Sequence, residues 1–159
     1  MIHWAGRLLA AAAWLVAVSC GGPQVVSSKP PSIPAGKGKQ EAPAVKPGVV
    51  STMPMDRYFP LQQSGSALTI DVRPSFYFSL GHIPGAVSWP KSSYQSQLAT
   101  HEVTLQAAIK AGRPIVLYCT DRACPDSGTV AQRLAARGYS VAILEGGYAD
   151  WKAAEMPTE

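Results

Sequence analysis

Two cysteines separated by four residues are the side chains in this sequence best suited to covalent chemistry. Cys119 follows the apolar run IVLY at 115–118, and Cys124 is followed by Pro125. A continuous apolar run of four residues predicts a strand buried on both faces, and proline suits the first turn of a helix. The residues between the cysteines therefore form a predicted loop that joins the end of a strand to the start of a helix.

This position favours a nucleophilic role for Cys119. Ligands of open α/β sheets bind at the carboxyl ends of the strands. The unpaired N–H groups and the dipole of a helix N-terminus stabilise an anion, and the thiolate is the nucleophilic form of cysteine. The alternative is a buried cysteine that packs as a small apolar side chain, although Cys119 ends its strand instead of lying inside it.

The rest of the pattern alternates short apolar runs with amphipathic segments. Strands are predicted at 49–51, 68–72, 87, 115–118 and 141–144. Helices are predicted at 56–63, 103–111, 127–137 and 148–155. Val103 is expected on the apolar stripe of the second of these helices, beside Ile109. Strands that alternate with helices imply right-handed crossovers and a parallel sheet covered on both faces.

Four motifs, in order along the chain, resemble those of the rhodanese-like domain family. They are IDVRP at 70–74, GHIPGA at 81–86, YC at 118–119, and LEGGY at 144–148 with WK at 151–152. The resemblance covers residues 51–157. It implies a single rhodanese-like α/β domain, predicted at 51–159, with a parallel five-stranded sheet and helices on both faces.

The resemblance also implies a reaction at sulfur. Cys119 would take a sulfane sulfur from a donor, hold it as a persulfide, and pass it to a thiol or another thiophilic acceptor such as cyanide. The backbone N–H groups of the active-site loop would cradle the outer sulfur. That loop consists of Thr120, Asp121, Arg122, Ala123 and Cys124. No metal ion and no organic cofactor is expected.

Three further residues receive structural roles from the resemblance. Asp71 and Arg73 are expected to hold the loop after their strand near the rim of the active site. His82 belongs to a segment that forms a turn. None of the three is expected to take part directly in the chemistry.

The active-site loop departs from the commonest family pattern, in which the loop ends in arginine. Cys124 and Pro125 stand at its end, and Arg122 is its only cation. The carboxylate of Asp121 opposes both a thiolate and an anionic donor such as thiosulfate. The related phosphatase loop needs an arginine six residues after the cysteine, where Pro125 lies, so the sequence argues against phosphatase chemistry.

Three roles are open for Cys124. It could resolve a persulfide or a sulfenic acid on Cys119 and form a disulfide, relay sulfur as a second site, or cap the start of the helix passively. Two alternatives to sulfur transfer also stay open. One is a thiol–disulfide redox or redox-sensing domain that uses Cys119 and Cys124, and the other is a non-catalytic rhodanese-like binding module.

The N-terminal residues predict export and lipidation. Residues 1–19 combine Arg7 with an apolar run at 8–18 that is too short to span a membrane and is typical of a signal peptide. The stretch AVSC at 17–20 resembles a bacterial lipobox, which implies a lipoprotein signal peptide and a diacylglycerol thioether on Cys20. The alternative is an ordinary signal peptide cleaved nearby, with Cys20 incidental.

Residues 20–50 predict a disordered tether rich in proline, glycine and lysine. The formal net charge of +4 belongs to the signal peptide and this tether, because residues 51–159 hold nine basic and nine acidic side chains. A neutral domain argues against nucleic-acid binding. The expected protein is a monomeric domain anchored by lipid in the cell envelope and facing the periplasm. Gly21 after Cys20 favours the outer membrane where one exists.

Overall fold

The computed structural model describes residues 45–159. The predicted signal peptide, Cys20 and most of the predicted tether lie outside the described residues. Within 45–159, no helix is both long enough and apolar enough to cross a membrane. In chain order the elements are β1 (Val50–Met53), α1 (Met55–Gln63), β2 (Leu68–Asp71), α2 (Ser75–Ser79), β3 (Val87–Ser88), a 3₁₀ turn (Lys91–Ser93), α3 (Tyr94–Lys110), β4 (Ile115–Tyr118), α4 (Asp126–Ala136), β5 (Val141–Leu144) and α5 (Gly147–Ala153).

The strands form one parallel five-stranded sheet in the order β1-β5-β4-β2-β3, which confirms the predicted architecture. The register of β2 and β4 sets Asp71 opposite Tyr118. Because the two strands are parallel and end side by side, the residues that follow them lie at the same carboxyl edge of the sheet. Arg73 and Cys119 are therefore neighbours in the fold although they are far apart in sequence.

Helices cover both faces of the sheet, as predicted. Successive residues of β4 point to opposite faces. Ile115 and Leu117 join the core under α3 and α4, whereas Val116 and Tyr118 join the core under α1 and α5. All four residues are buried, which explains why this strand reads as a continuous apolar run.

The strands β4 and β5 have the predicted bounds, and β3 contains Val87 as predicted. The helix α3 is longer than its prediction and begins at Tyr94 instead of residue 103. The expected stripe was wrong because Val103 and Ile109 are exposed in the structure. The buried side is formed by Tyr94, Leu98, Leu105 and Ala108. Their helical spacing begins at Tyr94, nine residues before the predicted start of the helix at residue 103.

The short helix α2 was not predicted, because it buries none of its residues and so leaves no apolar periodicity in the sequence. The predicted edge strand at 49–51 is present as β1, which begins at Val50 and extends to Met53. Gly48, which the sequence assigned to the tether, also belongs to the described fold, because its N–H donates a hydrogen bond to the Ala135 carbonyl (2.8 Å).

Candidate functional site

Cys119 lies directly after β4, at the carboxyl edge of the sheet. Its side chain is 2% exposed and belongs to the core under α3 and α4. The helix α4 begins at Asp126, so the chain between Cys119 and α4 is the predicted loop between a strand end and a helix start.

A disulfide joins Cys119 to Cys124 in the structure. The Cα atoms of the two residues lie 6.1 Å apart, within the usual range for such a bond. The side chain of Cys124 is partly buried against the same core as Cys119. The two thiols singled out from the sequence are thus brought together, and in this state neither is present as a nucleophilic thiolate.

Asp121 closes the active-site loop on itself. Its Oδ1 accepts hydrogen bonds from the N–H groups of Ala123 (2.9 Å) and Cys124 (3.0 Å), an arrangement that aspartate favours in turns. The resemblance assigned the loop N–H groups to an outer sulfur. In the disulfide state two of them instead donate to the Asp121 carboxylate.

The start of α5 holds the loop from the other side. The N–H groups of Tyr148 and Ala149 donate to the carbonyls of Cys119 (2.9 Å) and Thr120 (2.8 Å). Gly147 makes this approach possible, since its φ is +61° and a Cβ at this position would lie 2.5 Å from the Cys119 carbonyl oxygen. The glycine pair in the LEGGY motif therefore positions the backbone of the active-site loop.

Asp71 and Arg73 form a buried ion pair beside this loop. The guanidinium donates to both carboxylate oxygens, with an Nη2–Oδ2 distance of 2.6 Å, and Arg73 Nη2 also donates to the Gly81 carbonyl (2.9 Å). The two side chains are 0% and 3% exposed, respectively. Burial lowers the pKa of Arg73, but the hydrogen bond and charge of Asp71 outweigh it, so the pKa lies above its ordinary value.

Two tyrosines lie beside this ion pair. The guanidinium of Arg73 lies 4.0 Å from the ring centre of Tyr148, at cation–π distance. The hydroxyl of Tyr118 accepts a hydrogen bond from the N–H of Ile83 (3.2 Å). Burial and the neighbouring charge of Asp71 raise the pKa of Tyr118 well above its usual range. The hydroxyl therefore stays neutral and ties the GHIPGA segment to β4.

His82 takes part in a local turn. Its ring stacks on Phe78 at 3.7 Å between centroids, and its Nδ1 lies 3.0 Å from the Phe78 carbonyl oxygen. Its Nε2 lies 3.5 Å from a carboxylate oxygen of Glu159. These contacts stabilise the segment between α2 and β3, which is the kind of role that the resemblance implies.

A cavity of 220 Å³ opens beside the active-site loop. Its lining combines polar and apolar residues: Thr52, Asp121, Arg122, Ser127, Ile143, Leu144, Glu145 and Gly146. Arg122 is 75% exposed and lies 3.7 Å from Asp150, so its guanidinium is within reach of solvent and of this cavity. A second cavity, of 270 Å³, lies at the opposite, amino end of the strands and is remote from the cysteines.

The carboxylate of Asp126 approaches both sulfurs. A carboxylate oxygen of Asp126 and the two Sγ atoms lie within 4.8 Å of one another. Lys91 Nζ lies 2.5 Å from Asp126 Oδ1. Because both sulfurs are used in the disulfide, this cluster does not offer two thiolates to a metal ion in the structure.

Sequence analysis overlooked Lys91, Asp126 and the hydroxyl of Tyr118. The position of Asp126, two residues after Cys124 and in the first turn of a helix, was a local signal that could have found it. Lys91 lies 35 residues from Asp126, and Tyr118 lies 35 residues from Ile83. Such pairings depend on the tertiary fold, so no local pattern indicates them.

The rhodanese-like domain family matches residues 60–154 of this chain. The HTH-type transcriptional regulator Rv0324 of Mycobacterium tuberculosis is similar to it, with 32% identity over 101 residues. The matched region covers 62% of this chain and 40% of the regulator. The chain therefore spans less than half the length of this relative.

Solved structures share the fold. The BH2092 protein of Bacillus halodurans superposes with a TM-score of 0.59 and 22% identity, covering 69% of this chain and 76% of that one. A rhodanese-related protein of Thermoplasma volcanium superposes with a TM-score of 0.56 and 16% identity, covering 69% and 97%. With a parallel five-stranded sheet, a cysteine at the end of its central strand and a family match over more than half its length, the chain belongs to the rhodanese-like domain family.

Proposed function

We propose that this protein is a sulfurtransferase or persulfide carrier with Cys119 as its nucleophile. The observation that carries the proposal is the position of Cys119 at the carboxyl end of β4, in a loop held by α5 and bonded to Cys124. Membership of the rhodanese-like domain family supports it, because the domain has a sulfurtransferase-type fold.

In the proposed cycle, the disulfide is first reduced. The Cys119 thiolate attacks the outer sulfur of a sulfane-sulfur donor, R–S–S⁻. The S–S bond of the donor breaks, R–S⁻ leaves with the electron pair, and Cys119 becomes a persulfide. An acceptor thiolate then attacks the outer sulfur, which becomes part of the acceptor's own persulfide, and Cys119 returns as a thiolate.

Cys124 provides a second exit for the sulfur. Its thiolate attacks the inner sulfur of the Cys119 persulfide, hydrosulfide leaves, and the Cys119–Cys124 disulfide remains. The step needs no external oxidant, because the departing sulfane sulfur takes the two electrons that the cysteine pair loses. An external dithiol then reopens the disulfide for the next cycle.

The disulfide also favours a second candidate function, a thiol–disulfide redox or redox-sensing domain. In that case Cys119 and Cys124 exchange electrons with a partner dithiol and carry no sulfur between molecules. The two candidates share the disulfide and differ in whether a persulfide forms on Cys119.

Intact mass after donor treatment separates the candidates. The reduced full chain, kept in detergent, is incubated with thiosulfate or with an organic persulfide, and thiocyanate formation from cyanide is followed in parallel. We expect Cys124→Ser to gain one sulfur atom and keep it, and Cys119→Ser to gain none. The organic persulfide is expected to load faster than thiosulfate, because Asp121 repels the doubly charged thiosulfate more strongly than a persulfide that carries a single negative charge.

The outcomes point in different directions. No added sulfur in Cys124→Ser, together with a defined dithiol–disulfide potential in the wild-type chain, contradicts sulfur transfer and supports the redox candidate. If neither chemistry is observed, both candidates are contradicted and the domain acts as a binding module. A pull-down from the cell envelope would then identify its partner.

The proposal extends to the site of action, an exported monomer held at the cell envelope by lipid on Cys20. The lipobox at 17–20 and the proline-rich tether support this location. Two or more acyl chains give a stable anchor, since each buried methylene contributes about 0.8 kcal/mol. Labelled palmitate is expected to enter the wild-type chain but not Cys20→Ser, and incorporation that persists in the variant contradicts the anchor.

A further inference from the structure

The carboxylate of Asp126 is placed close to both members of the cysteine pair. Asp126 is the first residue of α4, its side chain is 22% exposed, and one carboxylate oxygen lies within 4.8 Å of both Sγ atoms. Lys91 reaches it from the 3₁₀ turn after β3, with Nζ 2.5 Å from Oδ1. The two residues form an ion pair from separate elements, with the carboxylate beside the sulfurs and the ammonium group of Lys91 on that carboxylate.

Four other charged side chains near the active-site loop already have partners, whereas Glu145 lines the 220 Å³ cavity together with Asp121 and Arg122. Asp121 Oδ1 accepts two N–H groups of its own loop, and Arg122 faces Asp150. Asp71 and Arg73 neutralise each other at the end of β2. The strands β1, β4 and β5, which pack against α4, carry no acidic or basic side chain.

Two tyrosines also lie around the loop. The Tyr118 hydroxyl lies on the opposite face of the sheet from Cys119 and accepts a hydrogen bond from Ile83. The ring of Tyr148 lies against the guanidinium of Arg73. Burial raises the pKa of Tyr118, so its hydroxyl is not a charged neighbour of the sulfurs at neutral pH.

An ion pair beside a thiol affects it through the balance of its charges. A carboxylate disfavours a nearby thiolate, and an ammonium group favours it. A single charge about 5 Å from a partly buried sulfur, partly screened by solvent, changes the ratio of thiolate to thiol by about tenfold. As long as Lys91 holds Asp126, the two effects largely cancel, and loss of either partner leaves the other charge uncompensated.

We propose that Lys91 and Asp126 are positioning residues that set the thiolate population of the reduced Cys119–Cys124 pair. The inference rests on the proposed function, in which that thiolate starts the sulfur transfer. Lys91 stabilises the thiolate and Asp126 restrains it, so removal of the two partners has opposite consequences. A merely structural ion pair would give losses in the same direction for both.

The test is the rate of alkylation of the reduced full chain by iodoacetamide between pH 5 and pH 9, with the modified cysteine identified by peptide mass. Asp126→Asn is expected to react about tenfold faster below the pH midpoint and to shift that midpoint downward. Lys91→Met is expected to react about tenfold slower and to shift the midpoint upward. The double variant should return close to the wild-type midpoint.

Two further variants keep the test decisive. Glu102→Gln removes the ion pair with Arg137 (3.1 Å), which joins α3 to the end of α4, and is expected to leave the alkylation midpoint unchanged. Lys91→Arg keeps the cation, so its alkylation midpoint should equal that of the wild-type chain. This variant tests the charge of residue 91 even where Lys91→Met is poorly folded. Melting curves of each variant report on the fold separately.

Slower alkylation of Asp126→Asn, or equal midpoints in all variants, overturns the proposal. Sulfur loading is measured on the same samples by intact mass. Shifted midpoints without any loading contradict the proposed function alone. Normal loading with unshifted midpoints contradicts only the role of the ion pair.

Discussion

Two neighbouring strands end at the same edge of the sheet, yet the residues that follow them are held in different ways. After β2, Asp71 and Arg73, which we call the rim pair, form a buried ion pair with at most 3% exposure. After β4, the active-site loop is closed by a covalent bond between Cys119 and Cys124, and its residues 120–123 are exposed.

The difference separates the scaffold from the chemistry. The rim pair depends on two opposite charges that stay together at any redox potential, and it also binds the Gly81 carbonyl and packs on Tyr148. None of those contacts involves a cysteine, so we expect them to remain when the disulfide of the loop opens. A rigid rim next to a loop with two redox states allows the sulfurs to change partners while the rest of the edge stays in place.

The largest expected effect on stability comes from removing the cation of the rim pair. Arg73→Met leaves the carboxylate of Asp71 buried without its partner, and we expect a loss of about 3–5 kcal/mol in the free energy of unfolding. Urea denaturation of the oxidised chain measures it. The matched double variant Asp71→Asn with Arg73→Met buries no charge and should recover part of that loss. A change below about 1 kcal/mol in Arg73→Met contradicts a structural role for the pair.

The rim was accessible to sequence analysis because its partners are close together. Asp71 and Arg73 are two residues apart, directly after a continuous apolar strand, so a single motif contains both. Lys91 and Asp126 are 35 residues apart and meet only because β3, the 3₁₀ turn and α4 converge at one edge. The sequence therefore indicated the rim and missed the ion pair beside the sulfurs.

The second prediction concerns the contact between α5 and the loop. Gly147→Ala would place a methyl group 2.5 Å from the Cys119 carbonyl oxygen at a φ of +61°. We expect it to destabilise the fold by about 2–3 kcal/mol and to displace the active-site loop. Gly112→Ala is the matched control, because its φ is +67° but nothing lies within 4 Å of the added methyl group. Equal losses in the two variants would show that α5 does not position the loop.

The third prediction tests how little the disulfide contributes to the scaffold. It closes a loop with a sequence separation of only five residues. In the chain-entropy account, so short a loop stabilises the fold by about 2 kcal/mol. Urea denaturation with and without a reductant measures the difference. The Cys119→Ser, Cys124→Ser double variant should match the reduced wild type, and unfolding of the chain on reduction would contradict the separation of scaffold from chemistry.

Strand and helix predictions differed in accuracy for a physical reason. The strands β4 and β5 are buried on both faces, so their apolar runs end where the strands end. The helix α3 is half exposed and carries exposed apolar residues, Val103 and Ile109, that misdirected the choice of its buried side. The redox state of the loop could not be predicted at all, because the same two cysteines fit a dithiol and a disulfide.

The smallest expected effect is a pH dependence of the stability of the fold, which arises from His101 in the core next to the rim pair. The ring of His101 stacks on that of Trp89 at 4.3 Å between centroids, and the backbone N–H of Trp89 donates to the Asp71 carbonyl (2.8 Å). Burial lowers the pKa of His101 below its ordinary value of 6.5. The unfolded chain therefore takes up this proton at a higher pH than the folded chain does. No effect is expected well above pH 6.5, and stability should fall as the pH drops through that value.

Melting temperatures between pH 7.5 and pH 5 measure this contribution. We expect His101→Phe, which keeps a ring against Trp89, to lose part of the acid slope of the wild-type chain. An unchanged slope would assign the acid sensitivity to other groups. The His101→Phe variant also separates pH effects in the active-site loop from pH effects in the core next to the rim pair. Any pH dependence of cysteine alkylation that persists in His101→Phe belongs to the active-site loop, whereas one that disappears reflects loosening of the core behind the rim.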